Sequence, residues 1–302
     1  MGRTVASCVL VLFLLTTSAF SQGLPVRADC RAGSITFGAN VGWVEHYGGF
    51  AHSFELEADG ELYTEKAPLR GVWLGLFGRG TLPSGIGLEL SGGLLVRGTM
   101  GGEDRENVEP SSYGFKFGEV SWGIVEGLAS YNVFSDLQVI GGLRWDHLST
   151  QWEYLTDPST LDLTINAYLP VIGLQVTQGF FQGELTTRVT GWPGPVFGNL
   201  KYHYNGILVD WGETANMSLS EGYFLECYME FARRIFGESS LGLYAKWNVT
   251  NLQTREGSYD WRQAGTFDEG SDPMAMTNYR HYWILGGLFS VDFNLSDLGI
   301  LR

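Results

Sequence analysis

The sequence predicts an all-β chain whose strands close into a ten-stranded antiparallel transmembrane β-barrel. Three observations predict it. Apolar and polar residues alternate at period two in segment after segment, short turns exchange with long polar stretches between those segments, and glycine and aromatic residues are abundant. The chain carries 42 Gly, 10 Trp, 14 Tyr and 18 Phe against 9 Pro and 3 Cys. That balance suits a twisted sheet with lipid on its outer face and aromatic rims.

The alternation is the strongest of the three, because lipid outside and a polar lumen inside force period two on every strand. In 279–294, Tyr279, Trp283, Leu285, Phe289, Val291 and Phe293 share one face, and Arg280, Tyr282, Ser290, Asp292 and Asn294 the other, with His281 and Ile284 as exceptions. In 241–250, Leu241, Leu243, Ala245, Trp247 and Val249 oppose Tyr244, Lys246, Asn248 and Thr250. Segments 223–231, 137–146, 180–190 and 86–97 read the same way. Strands near 34–48, 68–79, 118–134 and 160–176 bring the count to ten. Glu126 and Pro170 interrupt two of these, and a bulge or kink is expected at each.

The connections give the count again. Tight turns are read at Thr81–Gly85, Ser135–Asp136, Thr177–Gly179 and Gly237–Ser240. Longer polar stretches lie near 49–66, 100–117, 152–159, 191–217 and 251–277. Short turns on one side and long loops on the other mark an outer-membrane barrel, with the turns periplasmic and the loops outside. A large secreted β-sandwich also alternates, but does not require this strict exchange.

The N-terminus predicts export. Arg3 gives a basic start, Val9–Leu15 an apolar core of signal-peptide length, and Ala19-Phe20-Ser21 a small-x-small cleavage site. Residues 1–21 therefore read as a signal peptide, with a mature barrel over 22–302. Removing Arg3 takes the net charge from −14 to −15, which argues against nucleic acid as a partner. Of the two cysteines that survive processing, Cys227 points outward in mid-strand, so a structural bridge to Cys30 is not expected.

A barrel of this size has a narrow interior that side chains largely fill. Parity turns Glu89, Arg97, Arg144, Asp146, Glu184, Arg188, Glu226, Glu230 and Lys246 inward. The structural reading of these charges is an ion-pair network that plugs the lumen; the functional one is a lined pore. No spacing of histidines and cysteines reads as a metal site, and no nucleophile elbow or phosphate loop is present. The acidic run 266–272 lacks a regular ligand repeat and reads as a solvated loop.

The ordered series Ile165-Asn166-Ala167-Tyr168-Leu169-Pro170-Val171-Ile172-Gly173-Leu174, then Gly183-Glu184-Leu185, Gly191-Trp192 and Lys201-Tyr202-His203-Tyr204, is followed by Ala245–Asn251 and Asn278-Tyr279. From about residue 160 onward this series resembles the omptins, ten-stranded outer-membrane proteases and adhesins. The resemblance implies a cleft in which an Asp-x-Asp faces an Asp-x-His, together orienting and deprotonating a water. His203 falls at the family's histidine, with Lys201 standing where the family has Asp. Asp104 in Met100–Asp104 matches one acid, and Glu103 is a substitute in a shifted register. Asp210 and His147 are more remote candidates. The resemblance also implies contact with outer-membrane lipid, a requirement for lipopolysaccharide, no cofactor, a monomer, and basic peptide or host-protein partners. Three functions stay open: an endopeptidase using Asp104, Glu103 and His203, a non-catalytic adhesin or structural barrel, and a small channel.

Overall fold

The computed structural model describes residues 34–45, 52–58, 61–67, 69–82, 84–100, 103–106, 115–134, 136–154, 159–206, 211–255, 257–263 and 269–294. Fifteen strands run through them: β1 (Ser34–Glu45), β2 (His52–Ala58), β3 (Glu61–Ala67), β4 (Leu69–Thr81), β5 (Ile86–Met100), β6 (Glu103–Glu106), β7 (Phe115–Asn132), β8 (Leu137–Tyr154), β9 (Thr160–Phe180), β10 (Gly183–Pro195), β11 (Phe197–Gly206), β12 (Trp211–Phe236), β13 (Ser239–Thr254), β14 (Gly257–Gln263) and β15 (Glu269–Asn294). All pairings between them are antiparallel, and the described residues contain no helix.

Ten of these strands form a ring in the order β1-β4-β5-β7-β8-β9-β10-β12-β13-β15, and β15 returns to β1. The closing ladder runs from Ser34↔Asn294 to Glu45↔Trp283 without a slip. The expected ten-stranded barrel is therefore the fold. The other five strands continue staves of the same ring. β10 and β11 both lie between β9 and β12, with a break around Val196. β13 and β14 both lie between β12 and β15. β1 and β2 share β15, and β5 and β6 follow β4 and β3.

This corrects the reading of the long polar stretches as loops. Residues 52–67, 197–217 and 257–276 are paired strand, and the staves project well past the lipid band before they turn. Polar residues there signal water on the outer face, not loss of strand. Glu126 does not break β7 either. It points inward with Trp122, Ile124 and Leu128, and the β7–β8 register runs unbroken through Glu126↔Arg144. Pro170 also sits in unbroken register with β8, at Leu143↔Pro170. On its other side it lies between the Ile172↔Gly191 and Tyr168↔Phe197 pairs, where β9 passes from β10 to β11, so its missing N–H costs no ladder bond there. The turn placed at Thr177–Gly179 is instead Phe181–Gln182, both at positive φ (44° and 62°). That is the left-handed pair a two-residue hairpin demands, held here by residues that rarely adopt it.

Two aromatic girdles bound the lipid-facing band. Trp43, Trp145, Tyr168, Tyr223, Trp247 and Trp283 ring the outer face at the long-hairpin side. Phe37, Tyr131, Phe134, Phe180, Phe236 and Phe293 do so at the short-turn side, all exposed. Ten residues separate Trp283 from Phe293, which at a tilt of about 40° spans about 25 Å, the height of such a band. The two exceptions noted in β15 have simple reasons. Ile284 points inward and is fully buried. His281 belongs to the upper girdle, where it accepts a hydrogen bond from Trp247 Nε1 at 2.6 Å.

Leu243 stands on the outer face near the middle of the band and is 69% exposed. Leu243→Arg is expected to destabilise the folded barrel by about 2–4 kcal/mol in lipid vesicles. Thr214→Arg, on the outer face above the girdle, is expected to change it little. Equilibrium urea unfolding followed by tryptophan fluorescence compares the two.

Candidate functional site

The lumen and the projecting wall are the two places where this chain concentrates chemistry. Within the lipid band, the interior holds two stacked layers of charge. In the layer nearer the short turns, the Arg79 guanidinium donates to both oxygens of Glu230 (2.9 and 3.1 Å) and to Glu89 (3.0 Å), and Arg188 donates to the other oxygen of Glu89 (2.9 Å). Tyr228 donates its hydroxyl to Glu230 at 2.5 Å. In the next layer Arg144, fully buried, donates to Glu126 through Nε (2.7 Å) and pairs with Glu226, whose carboxylate also meets Lys246 Nζ at 3.1 Å. A third pair, Arg280 with Asp146 at 2.8 Å, lies higher, and Trp122 Nε1 donates to the same carboxylate.

Burying these ions costs several kcal/mol each, and the Coulombic return needs close geometry with most donors used. The layers meet that demand with bidentate and shared pairs. Guanidinium planes lie over rings as well, Arg144 at 4.4 Å from the Phe224 centroid and Arg188 at 4.9 Å from that of Tyr228. Only about 50 Å³ is left between the first two layers. Below them a polar vestibule of about 1060 Å³ opens toward the short turns. The expected inward charges are accordingly found in the network, except that Glu184 lines the vestibule and the Arg97 side chain lies outside the described residues. Arg79 and Glu126 were missed: the first ends a strand whose faces were not assigned, and the second was taken for an interruption.

Past the upper girdle the polarity inverts. The inner face becomes apolar, with Leu161, Leu163, Ile165, Leu200, Met217 and Met276 all nearly or fully buried. The outer face carries Asp162, Thr164, Lys201, His203, Thr214 and Asn216. A polar lumen was expected along the whole barrel. The reason for the difference is the solvent: in water the hydrophobic effect turns apolar side chains inward, whereas in lipid it has no such direction.

The candidate residues fall on this projecting part. His203 lies on β11 rather than in a loop. It is exposed on the outer face with Lys201, its Nδ1 sits 3.0 Å from Thr214 Oγ1, and its ladder partners are Asp162 and Thr214. Glu103 and Asp104 lie on β6, paired along the backbone with Lys66 and Glu65 of β3; their side chains lie outside the described residues. Three staves separate β6 from β11 around the ring. His147 stacks on Trp145 at 5.8 Å and its Nδ1 meets Asn166 Oδ1 at 2.9 Å, a girdle position. Asp210 and residues 264–268 lie outside the described residues. Among the described residues no three His, Cys, Asp or Glu side chains gather as metal ligands would.

A closed ring, an apolar outer band between aromatic girdles and a charged interior define a β-barrel of the outer-membrane type. Comparison with known structures agrees. The chain overlays on the outer membrane protease OmpT from Escherichia coli with a TM-score of 0.66 at 10% identity, covering 90% of this chain and 99% of that one. Weaker overlaps are found with the translocator domain of the autotransporter NalP from Neisseria meningitidis (TM-score 0.43, 10% identity, 97% of each chain) and with OprG from Pseudomonas aeruginosa (0.40, 11%, 87% of this chain and 97% of that one). At these identities the likeness is one of fold. No protein-family model matches the sequence, and no curated protein does.

Arg144→Met would leave Glu126 and Glu226 buried with only Lys246 to share. A loss of about 3–5 kcal/mol is expected in unfolding experiments. Breaking the exposed Arg234–Glu238 pair at the vestibule rim by Arg234→Ala is expected to cost no more than about 1 kcal/mol.

Proposed function

We propose that this protein resides in the outer membrane of a Gram-negative bacterium as a monomer with a sealed lumen, and that it acts by binding on its projecting strands, without hydrolysing peptides. The observation that carries the reading is the direction of His203. A general base must come within hydrogen-bond reach of the water it activates and of the acid that orients it. An imidazole on the outer face, held against Thr214, stands on the wrong side of its own sheet to share a water with a residue across the interior. The interior between is occupied by buried Leu163, Ile165, Leu200 and Met217.

The adhesin-like or structural reading is thus favoured over the omptin-type endopeptidase with Asp104, Glu103 and His203, and over a channel. The two charge layers and the dry core above them support a closed lumen. Lipid contact follows from the apolar band; contact with lipopolysaccharide, and basic or host-protein partners for the acidic rim, belong to this proposal. So does export by residues 1–21, for which N-terminal sequencing of the membrane-extracted protein should read from Gln22.

The test is functional. The protein is refolded in detergent, supplied with lipopolysaccharide and offered a fluorogenic peptide containing paired basic residues. The expected result is no turnover above the protein-free rate, for both the parent and His203→Ala, and no unitary conductance in planar bilayers. Turnover that His203→Ala abolishes would restore the peptidase, and steady conductance would restore the channel.

A further inference from the structure

One carboxylate on the inner face of the projection differs from those in the lumen. Glu89, Glu126, Asp146, Glu226 and Glu230 are each ion-paired. Glu213, near the start of β12, has no Lys or Arg paired with it among the described residues. Its Oε1 accepts from Trp211 Nε1 at 2.7 Å and its Oε2 from the Tyr202 hydroxyl at 3.1 Å. Both donors are neutral, so they hold the carboxylate in place and leave its charge uncompensated.

Indole rings surround that charge. Trp261 is the ladder partner of Glu213 on β14, and Tyr204 is its partner on β11. Trp211 and Trp261 stack with centroids 5.0 Å apart and planes 11° from parallel. Trp211, Glu213, Trp261 and Tyr204 are all half-buried, so the corner reaches solvent. The sequence makes room for it: opposite Trp261 stands Gly270, where an added Cβ would lie 2.5 Å from the indole. Any larger residue would push the ring out of its stack.

Aromatic faces carry the negative end of their quadrupole outward. A carboxylate beside two indoles and a phenol therefore makes a corner of negative potential, walled by apolar carbon. A single carboxylate is too few ligands for a divalent cation, which takes six or more oxygens. Glu213 already accepts one hydrogen bond at each oxygen, so it has more charge to offer than acceptor capacity. The complementary ligand is a cation with methyl groups in place of N–H donors.

We propose that Glu213, Trp211, Trp261 and Tyr204 form a binding site for a quaternary ammonium group, of the trimethylammonium type carried by choline. The site faces water above the upper girdle, so it takes a soluble or surface-displayed head group rather than membrane lipid. The inference rests on the reading that the projecting strands are the binding part of the molecule. Its failure would leave peptide turnover and conductance, measured separately, untouched.

The full chain, folded in a detergent without an ammonium group, is titrated with choline chloride at constant chloride concentration. Saturation transfer from protein to the choline methyl protons reports binding. Saturable transfer is expected, weakened about tenfold or more by Glu213→Gln, lost in Trp261→Ala and partly kept in Trp261→Tyr. Glu213→Gln is isosteric, and heat-dependent gel mobility confirms that each variant is folded. No saturable transfer, transfer that Glu213→Gln leaves unchanged, or stronger binding of arginine methyl ester or glucose than of choline would overturn the proposal.

Discussion

Everything in this molecule depends on the ladder that joins the first strand of the ring to the last. In hydrocarbon no water satisfies an unpaired N–H or C=O, each of which costs several kcal/mol, so a sheet can cross lipid only when it has no edge. The twelve residues of β1, matched one for one against β15, remove that edge. Once the ring is closed its circumference is set, and with it the width of the space that side chains must fill. The charged layers, the apolar upper core and the vestibule are three ways of dealing with that space at different heights.

The inversion of polarity at the upper girdle connects the environment to these solutions. Inside the lipid band, outward positions are apolar because lipid touches them, and the inner face takes ions that neutralise one another. Above the band, the same staves carry Lys201 and His203 outward and Leu200 and Tyr202 inward. One continuous sheet is thus built by two opposite rules, and the switch falls where Trp145, Tyr168 and Tyr223 mark the boundary. The break between β10 and β11 sits at this same level, next to Phe197. A bulge there re-aims a stave where its solvent changes.

Much of the fold was legible because period two survives either rule. Leu241 through Val249 and Tyr223 through Phe231 could be placed on their faces by parity alone, and the ring of ten followed from counting such segments. Reading fared worse where the environment, not the period, set the meaning of a residue. Glu126 looked like a fault because its inward neighbours Trp122, Ile124 and Leu128 are apolar, a combination a polar lumen does not predict. Residues 197–217 looked like a loop because their outward side chains are polar, the mark of strand in water. The turn at Phe181–Gln182 carries no glycine, so the local signal shifted to Gly179. For the candidate site, resemblance located His203 along the chain, but which face it occupies is decided by register across three strands. No motif encodes that.

The same register argument bears on what the projection can do. A strand wall in water with a dry inner face is stiff, because each stave is hydrogen-bonded on both sides and backed by buried Leu161, Leu163 and Ile165. Stiffness of this kind suits recognition, which gains when the binding groups are already in place. It suits a water-activating pair only if acid and base emerge on one face, and alternation makes that an all-or-nothing condition. A one-residue slip in β11 would bring His203 inward and send Tyr202 out, taking its hydroxyl from Glu213 and opening the core at Leu200. The packing that keeps His203 outside is therefore the packing that builds the aromatic corner around Glu213, and the chain cannot hold both arrangements.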